Sequence, residues 1–528
     1  MTDTISSDDG AQWPVLDQPA DRKYGGMLGW LSSASRTAAM TAAVSVVLVG
    51  GVTTAAVRNF APGADPLRVV PASAFAVAQI DLSLPGGQDT ATTHLVRRFP
   101  GALPGSGSIR DRLLRAVFKA SSDSHVDYEK SVKPWLGDHV AVAGWTDSSG
   151  APQDEMVLES TNDAAARKAL REAKADGLAF SHGFAIIASS QQAADAAVRA
   201  ADKSSLADSS TYQGDIASLS GTPVITGWLD GPAMVKAIQH AMTGQDGQPS
   251  PFLTSGFEGV TGRVVAGLRV SDEGSNSVVQ LDVVNRGSKA STRATSTDRL
   301  RHLPSTTIAA VAVADPAGVV RDGVNAIKGP LGLFFGGFSG GVSCTASSSD
   351  PVGQCEGDPP PPDVDPLAAI SSELGIQIPA DLVSLLGSDA VVAYGGLSAT
   401  AVPKIGLRSK PADVTAAADV VTKLRNRFGD TGVELSEQVA GSDFVLATTE
   451  DYAQDLAGSG TLGAEDRFAA ALRGMPPSVQ FAVYADLSAT LPLVTHGAAP
   501  QLDHLSAFGW WSANVHGQQT TQLRLIVH

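Results

Sequence analysis

One serine lies in a spacing that is typical of hydrolase nucleophiles. Gly337, Ser339 and Gly341 form a Gly-x-Ser-x-Gly pattern, which in such enzymes places the hydroxyl on a tight turn between a strand and a helix. The residues around the pattern are glycines and other loop formers, so neither that strand nor that helix is indicated. The sequence therefore favours a flexible apolar loop over a catalytic serine.

One acidic residue and one imidazole are adjacent in the chain. Asp138 and His139 lie in the block LGDHVAV and could act together in proton transfer. A similar block further along the chain carries Ser388 and Asp389 at these positions, so this chemistry would not be shared by both blocks. A polar turn that leads into a strand also accounts for the pair, and we favour that structural interpretation.

Four aspartates end apolar strands just before helix-like segments: Asp81, Asp230, Asp315 and Asp486. Carboxylates that converge on one point could bind a hard cation, which needs several oxygen ligands. Each aspartate could instead cap the helix that follows it, by accepting hydrogen bonds from the free amides of the first turn. Because the four are far apart in sequence and each is explained locally, the sequence favours caps.

The two cysteines, Cys344 and Cys355, flank a short loop rich in Ser, Gly and Pro. Spacing alone allows a disulfide, two free thiols or half of a metal site. No nearby histidine or second cysteine pair completes a metal shell, and the histidines of the chain show no metal-binding spacing. We therefore predict a disulfide between Cys344 and Cys355, no metal site and no cofactor.

Basic residues cluster in one region of the chain, at Arg97, Arg98, Arg110, Arg112, Arg115 and Lys119. Clustered positive charge is attracted to anionic lipid headgroups, so this region could contact a membrane surface. A solvated helix face accounts for the same pattern and is the simpler interpretation.

The composition limits the class of protein. Hydrophobic residues make up 43% of the 528 residues and the mean hydropathy is +0.05, which excludes a mainly disordered chain and a polytopic membrane protein. The net charge of −16 argues against nucleic-acid binding through phosphate neutralisation. A length of 528 residues favours several folded units.

The uncharged segment 37–57 has the length of a transmembrane helix, since about twenty helical residues cross roughly 30 Å of hydrocarbon. A buried alanine-rich helix is the alternative, because Ala, Thr and Gly dilute the valines. The polar segment 1–36 is unlike the start of a cleaved signal peptide, which favours an uncleaved anchor. We predict a disordered cytoplasmic tail at 1–36, a juxtamembrane linker at 58–69 and a body outside the cytoplasm, where a disulfide is stable.

Blocks of sequence recur in the same order, at a separation of about 230 to 260 residues. LGDHVAVAGW from Leu136 corresponds to LGSDAVVAYGG from Leu386, and FAIIASSQQAADAA corresponds to FVLATTEDYAQDLA. This order predicts two homologous lobes with one sheet topology. The lobes and their connections are 70–285, a linker at 286–302, and 303–528 with a Gly-, Cys- and Pro-rich insertion at 329–365.

Two further expectations follow from the duplication. Asp81 should correspond in position to Asp315, and Asp230 to Asp486. The two lobes should also form a cleft between them, and such clefts are frequent ligand sites.

The periodicity predicts an α+β fold. Val279, Leu281 and Val283 alternate with polar residues, which is typical of a strand with one covered face. Apolar residues recur at helical spacing within 411–429, which predicts an amphipathic helix between Pro and Gly boundaries. Short strands, hairpins and interspersed helices favour lobes of antiparallel sheet with packed helices.

The chain resembles a family of actinobacterial membrane-anchored proteins that is catalogued only as a domain of unknown function. The resemblance rests on the pattern V-P-A-S from Val70, the segment from Arg97 to Pro100, the block WLGD from Trp135, and the second copy of this layout. It implies a bacterial envelope location and brings no catalytic or ligand-binding residue.

These observations favour a single-pass membrane-anchored protein that binds or scaffolds another component of the cell envelope without catalysing a reaction. An envelope hydrolase or transferase that uses Ser339, or Asp138 and His139, is one alternative. A carrier of lipid or apolar peptide is another, suggested by Phe334, Phe335 and Phe338. The expected partners are the membrane, through the N-terminal helix, and envelope proteins or lipids.

Overall fold

The computed structural model describes residues 65–84, 87–99, 107–120, 128–243, 262–287, 293–320, 371–372, 374–429, 434–495 and 502–528. The predicted tail at 1–36, the predicted anchor at 37–57 and the insertion at 329–365 lie outside these residues, and so do Ser339, Cys344 and Cys355. Within the described residues, no helix is long and apolar enough to cross a membrane.

The fold is mixed α+β and is built on one large antiparallel sheet. The strands are β1 (Ala74–Asp81), β2 (Leu136–Thr146), β3 (Pro152–Ser160), β4 (Gly177–Ser181), β5 (Phe184–Ala188), β6 (Ile225–Asp230), β7 (Arg263–Glu273), β8 (Asn276–Arg286), β9 (Thr295–Ser296), β10 (Ala309–Ala314), β11 (Asp389–Leu397), β12 (Pro403–Ser409), β13 (Ser436–Ala440), β14 (Asp443–Ala447), β15 (Ser478–Val479), β16 (Phe481–Asp486), β17 (Leu505–Val515) and β18 (Gln518–Val527). Sixteen of them form the sheet in the order β13-β14-β12-β11-β10-β16-β17-β18-β8-β7-β6-β1-β2-β3-β5-β4, and β9 pairs with β15.

The sheet divides into two halves with the same strand order. Counted outward from the centre, the N-terminal half-sheet is β8-β7-β6-β1-β2-β3-β5-β4 and the C-terminal half-sheet is β18-β17-β16-β10-β11-β12-β14-β13. Each strand of one half therefore has a counterpart at the same place in the other.

The two halves meet edge to edge, at a junction that we call the seam. Strand β8 is hydrogen-bonded to β18 from Ser277, opposite Val527, to Asn285, opposite Gln519. The expected cleft between two lobes is therefore wrong for this junction, because the halves share a continuous sheet instead of facing each other across a gap.

The strand register tests the expected aspartate correspondences. Asp230 and Asp486 end β6 and β16, which are counterparts, so that expectation agrees with the register. Ile80 pairs with Ile225, which lies five residues before Asp230. Val313 pairs with Phe481, which likewise lies five residues before Asp486, so Ile80 and Val313 are counterparts. The counterpart of Asp81 is therefore Ala314, and the expected match with Asp315 is wrong by one residue.

Helices cover both faces of the sheet. They are α1 (Gln88–Arg98), α2 (Ile109–Ala120), α3 (Asp163–Glu172), α4 (Gln191–Lys203), α5 (Ser210–Ile216), α6 (Gly231–Thr243), α7 (Asp298–Arg301), α8 (Ala380–Leu386), α9 (Val414–Phe428), α10 (Glu450–Ala457), α11 (Asp466–Ala471) and α12 (Leu487–Thr495). We name the faces of the sheet after one residue on each, the Trp228 face and the Trp510 face. Residues that lie directly opposite each other on neighbouring strands point to the same face of the sheet. The strand pairing therefore assigns every other strand residue to one of these two faces.

Each half has its own buried core. In the N-terminal half, Val77, Trp145 and Trp228 are buried on the Trp228 face with residues of α4 and α5. In the C-terminal half, Tyr452 of α10 and Phe468 of α11 are buried among strand residues of the corresponding face. These clusters explain why each half can form a covered sheet.

The helix predicted within 411–429 is present as α9. It begins after Asp413, whose side chain accepts hydrogen bonds from the amides of Thr415 and Ala416, and it ends just before Gly429. The start therefore lies three residues after Pro411, because the aspartate cap determines where the first turn forms.

The segment 286–302, predicted as a linker, contains structure. It includes β9 and α7, and Leu300 is completely buried in the core of the C-terminal half. An apolar side chain buried in this way attaches the end of the segment to the C-terminal half.

Candidate functional site

Asp138 and His139 do not act as a pair in the structure. Successive strand residues point to opposite faces, so their side chains diverge. Asp138 forms an ion pair with Arg110, with Oδ1 and Nε 2.6 Å apart. His139 is 6% exposed and contacts two other carboxylates, those of Glu159 and Asp81.

The histidine is held between its two acidic neighbours by the strands themselves. Asp81 of β1 lies directly opposite His139 of β2, with Nε2 and Oδ1 3.5 Å apart. On the other side, His139 Nδ1 lies 2.6 Å from Oε2 of Glu159, near the end of β3. We call these three residues the His139 cluster.

Opposing effects determine the charge of this cluster. Burial lowers the pKa of His139, but the hydrogen bond to Glu159 and the charges of Asp81 and Glu159 outweigh burial and raise it above 6.5. Burial raises the pKa of Glu159, but its contacts with His139 lower it overall. The two shifts agree with a protonated imidazole paired with a carboxylate.

This geometry suits a structural role better than catalysis. The side chain of Asp81 is 1% exposed and that of His139 is 8% exposed, so a substrate has little access to either. The cluster joins β1, β2 and β3 through charge-assisted contacts. Sequence reasoning identified His139 but missed Glu159 and Asp81 as its partners, because strand pairing and not sequence adjacency brings them together.

Three of the four strand-end aspartates cap the following turn, as the sequence favours. Asp230 Oδ1 accepts from the amide of Ala233, and Asp486 Oδ1 accepts from that of Ala489. Asp315 makes the same contact with the residue three positions on, whereas Asp81 accepts from the residue two positions on and faces His139. Among the described residues, no group of His, Cys, Asp or Glu side chains is arranged to hold a metal ion.

Three residues of the predicted basic region are engaged within the fold. Arg98 donates hydrogen bonds to the hydroxyl of Ser277 in β8 and to the backbone carbonyl of Ser275 just before that strand. Arg110 donates to two backbone carbonyls at the start of β2. Arg115 is paired with Glu129, with Nε and Oε1 2.8 Å apart. These contacts favour a structural role for the three arginines over contact with a membrane surface. The side chain of Lys119 lies outside the described residues.

Sequence reasoning also missed a buried acid, Glu155 of β3. It is 2% exposed, and neither carboxyl oxygen has a hydrogen-bond partner among the described residues. Burial, with a smaller effect of Asp154, raises its pKa well above 4.5. Its alternation with Val157, which is completely buried, was the available signal, because the two residues share a face.

An exposed apolar surface lies on the Trp510 face of the C-terminal half-sheet. Val392, Val311, Val483 and Trp510 occur on four adjacent strands, each directly opposite the next. Val392 is 43% exposed, Val311 38% and Trp510 40%. Ile405, on the next strand, is 46% exposed. We call these five residues the apolar strip.

The strip has one aromatic end and one aliphatic end. Phe481 packs edge-on against Trp510, with ring centroids 4.8 Å apart and an interplanar angle of 81°. Val392 and Ile405 lie at the other end, three to four strands away. With strands about 4.8 Å apart, the strip spans roughly 15 to 20 Å.

The N-terminal half-sheet has more cover at the corresponding place. Ala78 and Val142, the counterparts of Val311 and Val392, are half-buried. Helices α2 and α3 pack against this side of the N-terminal half, and α6 contributes Met234 to a further cluster there. Exposure of a comparable row of apolar residues is therefore specific to the C-terminal half within the described residues.

Comparisons with known proteins give little further information. No protein-family model matches the chain. No curated protein matches it. Two solved structures show a distant resemblance: crystal forms III and IV of TP0453. They are 12% and 11% identical, cover 44% and 42% of this chain and 83% and 80% of their own, and both have a TM-score of 0.19. A likeness at this level carries no argument about function, and the resemblance to the actinobacterial family stays a prediction.

Proposed function

We propose that this chain is a non-catalytic binding protein of the bacterial cell envelope, anchored by the segment 37–57 and carrying its body outside the cytoplasm. We propose in addition that its two half-sheets descend from one duplicated unit, a view supported by their identical strand order. The observation that carries the binding function is the apolar strip, where three of four cross-strand neighbours are exposed and the fourth, Val483, is half-buried.

The ligand that suits this surface is an acyl chain. An extended peptide carries N–H and C=O groups that must keep hydrogen-bond partners when water is removed. The valine and isoleucine side chains of the strip offer none, whereas a hydrocarbon chain needs none and gains from the burial of apolar area. The ring pair of Trp510 and Phe481 adds a large apolar contact at one end.

The alternative of an envelope hydrolase or transferase has less support. His139 is buried between two carboxylates, and Asp138 is paired with Arg110 on the other side of its strand. Ser339 lies outside the described residues and its role stays a prediction.

Photo-crosslinking tests the proposal. The full chain is reconstituted in lipid nanodiscs, exposed to a diazirine-bearing palmitate, irradiated and digested for mass spectrometry. We expect labelled peptides from β10, β11 and β17, and we expect Val311→Ser and Val392→Ser to reduce that labelling at least fivefold.

The matched control is Val439→Ser. Val439 is 60% exposed on the edge strand β13, away from the strip, so its substitution should leave the labelling unchanged. Labelling spread evenly over the body, or equal loss in all three variants, would contradict a ligand site on the strip.

A further inference from the structure

The seam pairs equivalent positions of the two halves. Leu281 is the sixth residue of β8 and Leu523 is the sixth residue of β18, and these two residues lie directly opposite each other. Gln280 lies opposite Arg524, and Asp282 lies opposite Gln522. The junction therefore has a local two-fold relation centred on the two leucines.

The two-fold relation is broken by charge. Asp282 and Arg524 occupy equivalent positions, each following its leucine, but one is an acid and the other a base. Both are buried on the Trp228 face, where Asp282 is 6% exposed and Arg524 is 3% exposed. The alternation of apolar and polar residues in β8 and β18 predicts that both segments are strands. The polar residues Asp282 and Arg524 are nevertheless more deeply buried than the leucines beside them.

Two amides connect the opposite charges across the seam. Arg524 Nη1 donates to Gln280 Oε1 at 2.6 Å, and Gln280 Nε2 donates to Asp282 Oδ1 at 2.8 Å. Gln522 Nε2, from the other half, donates to the same Asp282 oxygen at 2.9 Å. One acid and one base thus complete a network of hydrogen bonds that contains both half-sheets.

Contacts around this network further suit the charges present. Arg524 Nη2 lies 2.8 Å from both carboxyl oxygens of Glu273, and Arg524 Nε donates to the carbonyl of Ala470 at 3.0 Å. Asp282 Oδ2 accepts from Ser220 Oγ at 3.0 Å and lies 3.7 Å from Nη2 of Arg269, a cation of its own half whose side chain is 25% exposed. The guanidinium of one half is therefore held by acceptors that include a carboxylate of the other half.

Pairing of like half-sheets in the same register would bring like charges together. A β8 strand against a second β8 strand would place two Asp282 carboxylates on one face as diagonal neighbours, and two β18 strands would do the same with Arg524. Diagonal neighbours on one face lie about 7 to 8 Å apart between backbones, within reach of long side chains. Two Arg524 side chains would lack the carboxylate of Glu273, which belongs to the N-terminal half, whereas each Asp282 would keep only the partly exposed Arg269 beside it. Buried like charges with incomplete compensation are unfavourable.

We propose that Asp282 and Arg524 determine which half-sheets pair. An N-terminal half accepts a C-terminal half, whether from its own chain or from a second copy, and it rejects a half like itself. The seam is in this sense a selective interaction surface, whose partner is an antiparallel strand with a cation at the position of Arg524.

The test uses the full chain with a protease site inserted between Gly287 and Arg293. The folded protein is cleaved, two isotopically distinct batches are mixed, and native mass spectrometry counts pairs of unlike and like fragments. We expect unlike pairs to account for nearly all of the wild-type complexes. Asp282→Asn should weaken the unlike pair about thirtyfold or more and raise the ratio of N-terminal like pairs to unlike pairs at least tenfold.

Two control variants separate selection from general weakening. Leu281→Ala removes packing without changing charge, so it should weaken pairing and leave the ratio of like to unlike pairs unchanged. Lys168→Gln, on the exposed surface of α3, should change neither quantity. A ratio that responds equally to Leu281→Ala and Asp282→Asn would overturn the proposal.

A second measurement keeps the test decisive if the cleaved fragments do not exchange. Thermal unfolding of the uncleaved chain is compared for Asp282→Asn, Arg524→Gln and the double variant. Because Asp282 and Arg524 belong to one buried hydrogen-bond network through Gln280, the double variant should lose clearly less than the sum of the two losses. Additive losses would contradict a selective pairing of these two charges.

Discussion

One carboxyl oxygen of Glu159 receives three hydrogen bonds from the start of β2. His139 Nδ1 lies 2.6 Å from Glu159 Oε2, and the amides of Asp138 and His139 donate to the same oxygen at 2.8 and 3.0 Å. Gly137 makes this possible, because a Cβ there would lie 2.5 Å from the Glu159 side chain. The imidazole and the carboxylate thus fasten β2 to β3.

Replacement of Glu159 should show the pH dependence of this contact. His139 has a raised pKa, so its contribution is present below pH 6.5 and is lost as the pH rises through the folded value. Glu159 has a lowered pKa, so its contribution is present above pH 4.5 and is lost as the pH falls. We expect Glu159→Gln to reduce the free energy of unfolding by about 2 kcal/mol between these limits and by less outside them.

Chemical denaturation at several pH values measures this difference. His94→Gln is the control, since His94 makes a comparable contact with Asp272 at 2.9 Å but is 46% exposed. A loss for Glu159→Gln that stays constant from pH 4 to pH 9 would contradict the charged pair.

The buried acid Glu155 should destabilise the fold at neutral pH. Its pKa is raised in the folded state, so the folded protein is favoured below pH 4.5 and loses stability as the pH rises towards the folded value. We expect Glu155→Met to increase the free energy of unfolding by about 1 to 3 kcal/mol at pH 7 and by less at pH 4. Glu172→Met, at an exposed site on α3, should show no such trend. A loss of stability in Glu155→Met at pH 7 would indicate an unrecognised role for the carboxyl group.

Close packing of α10 on the sheet requires a glycine in β12. A Cβ at Gly406 would lie 2.0 Å from Leu456 Cδ1 and 3.3 Å from Tyr452 Cε1. We expect Gly406→Ala to lower the free energy of unfolding by about 1 to 3 kcal/mol. Gly214→Ala, in α5 with no atom within 4 Å of the added Cβ, should stabilise by about 0.5 to 1 kcal/mol. Equal effects of the two substitutions on the free energy of unfolding, measured by thermal unfolding, would show that close packing against Leu456 does not require a glycine at this position.

The elements were predictable where one segment contains its own signal. The helix α9 follows from apolar spacing and its boundary residues, and β8 follows from alternation. The repeated blocks also predicted a repeated strand order, because each strand pairs mainly within its own half.

The burial of particular side chains was not predictable in the same way. Alternation in β8 suggests that Leu281 is covered, yet Asp282 is more deeply buried, because Gln522 of a distant strand donates a hydrogen bond to it. The partners of His139 were missed for the same reason. Contacts between strands far apart in sequence depend on the sheet order, which no single segment specifies.

The cysteine pair remains a prediction from loop length and proposed location. Alkylation of exported protein without reductant should leave Cys344 and Cys355 unlabelled, and labelling should appear after reduction. Since the bond would close a small loop, its loss should cost at most about 3 kcal/mol. Stoichiometric labelling of both residues without reductant would show free thiols.

Quenching of Trp510 by a brominated acyl chain tests the central claim most directly. The full chain in nanodiscs is titrated with dibromostearate, and the fluorescence of the wild type is compared with that of Trp510→Phe. Bromine quenches indole on contact, so the account predicts a saturable loss of emission in the wild type that is absent in Trp510→Phe and weaker in Val311→Ser. The same quenching curve for the wild type and Trp510→Phe would contradict acyl-chain binding on the strip.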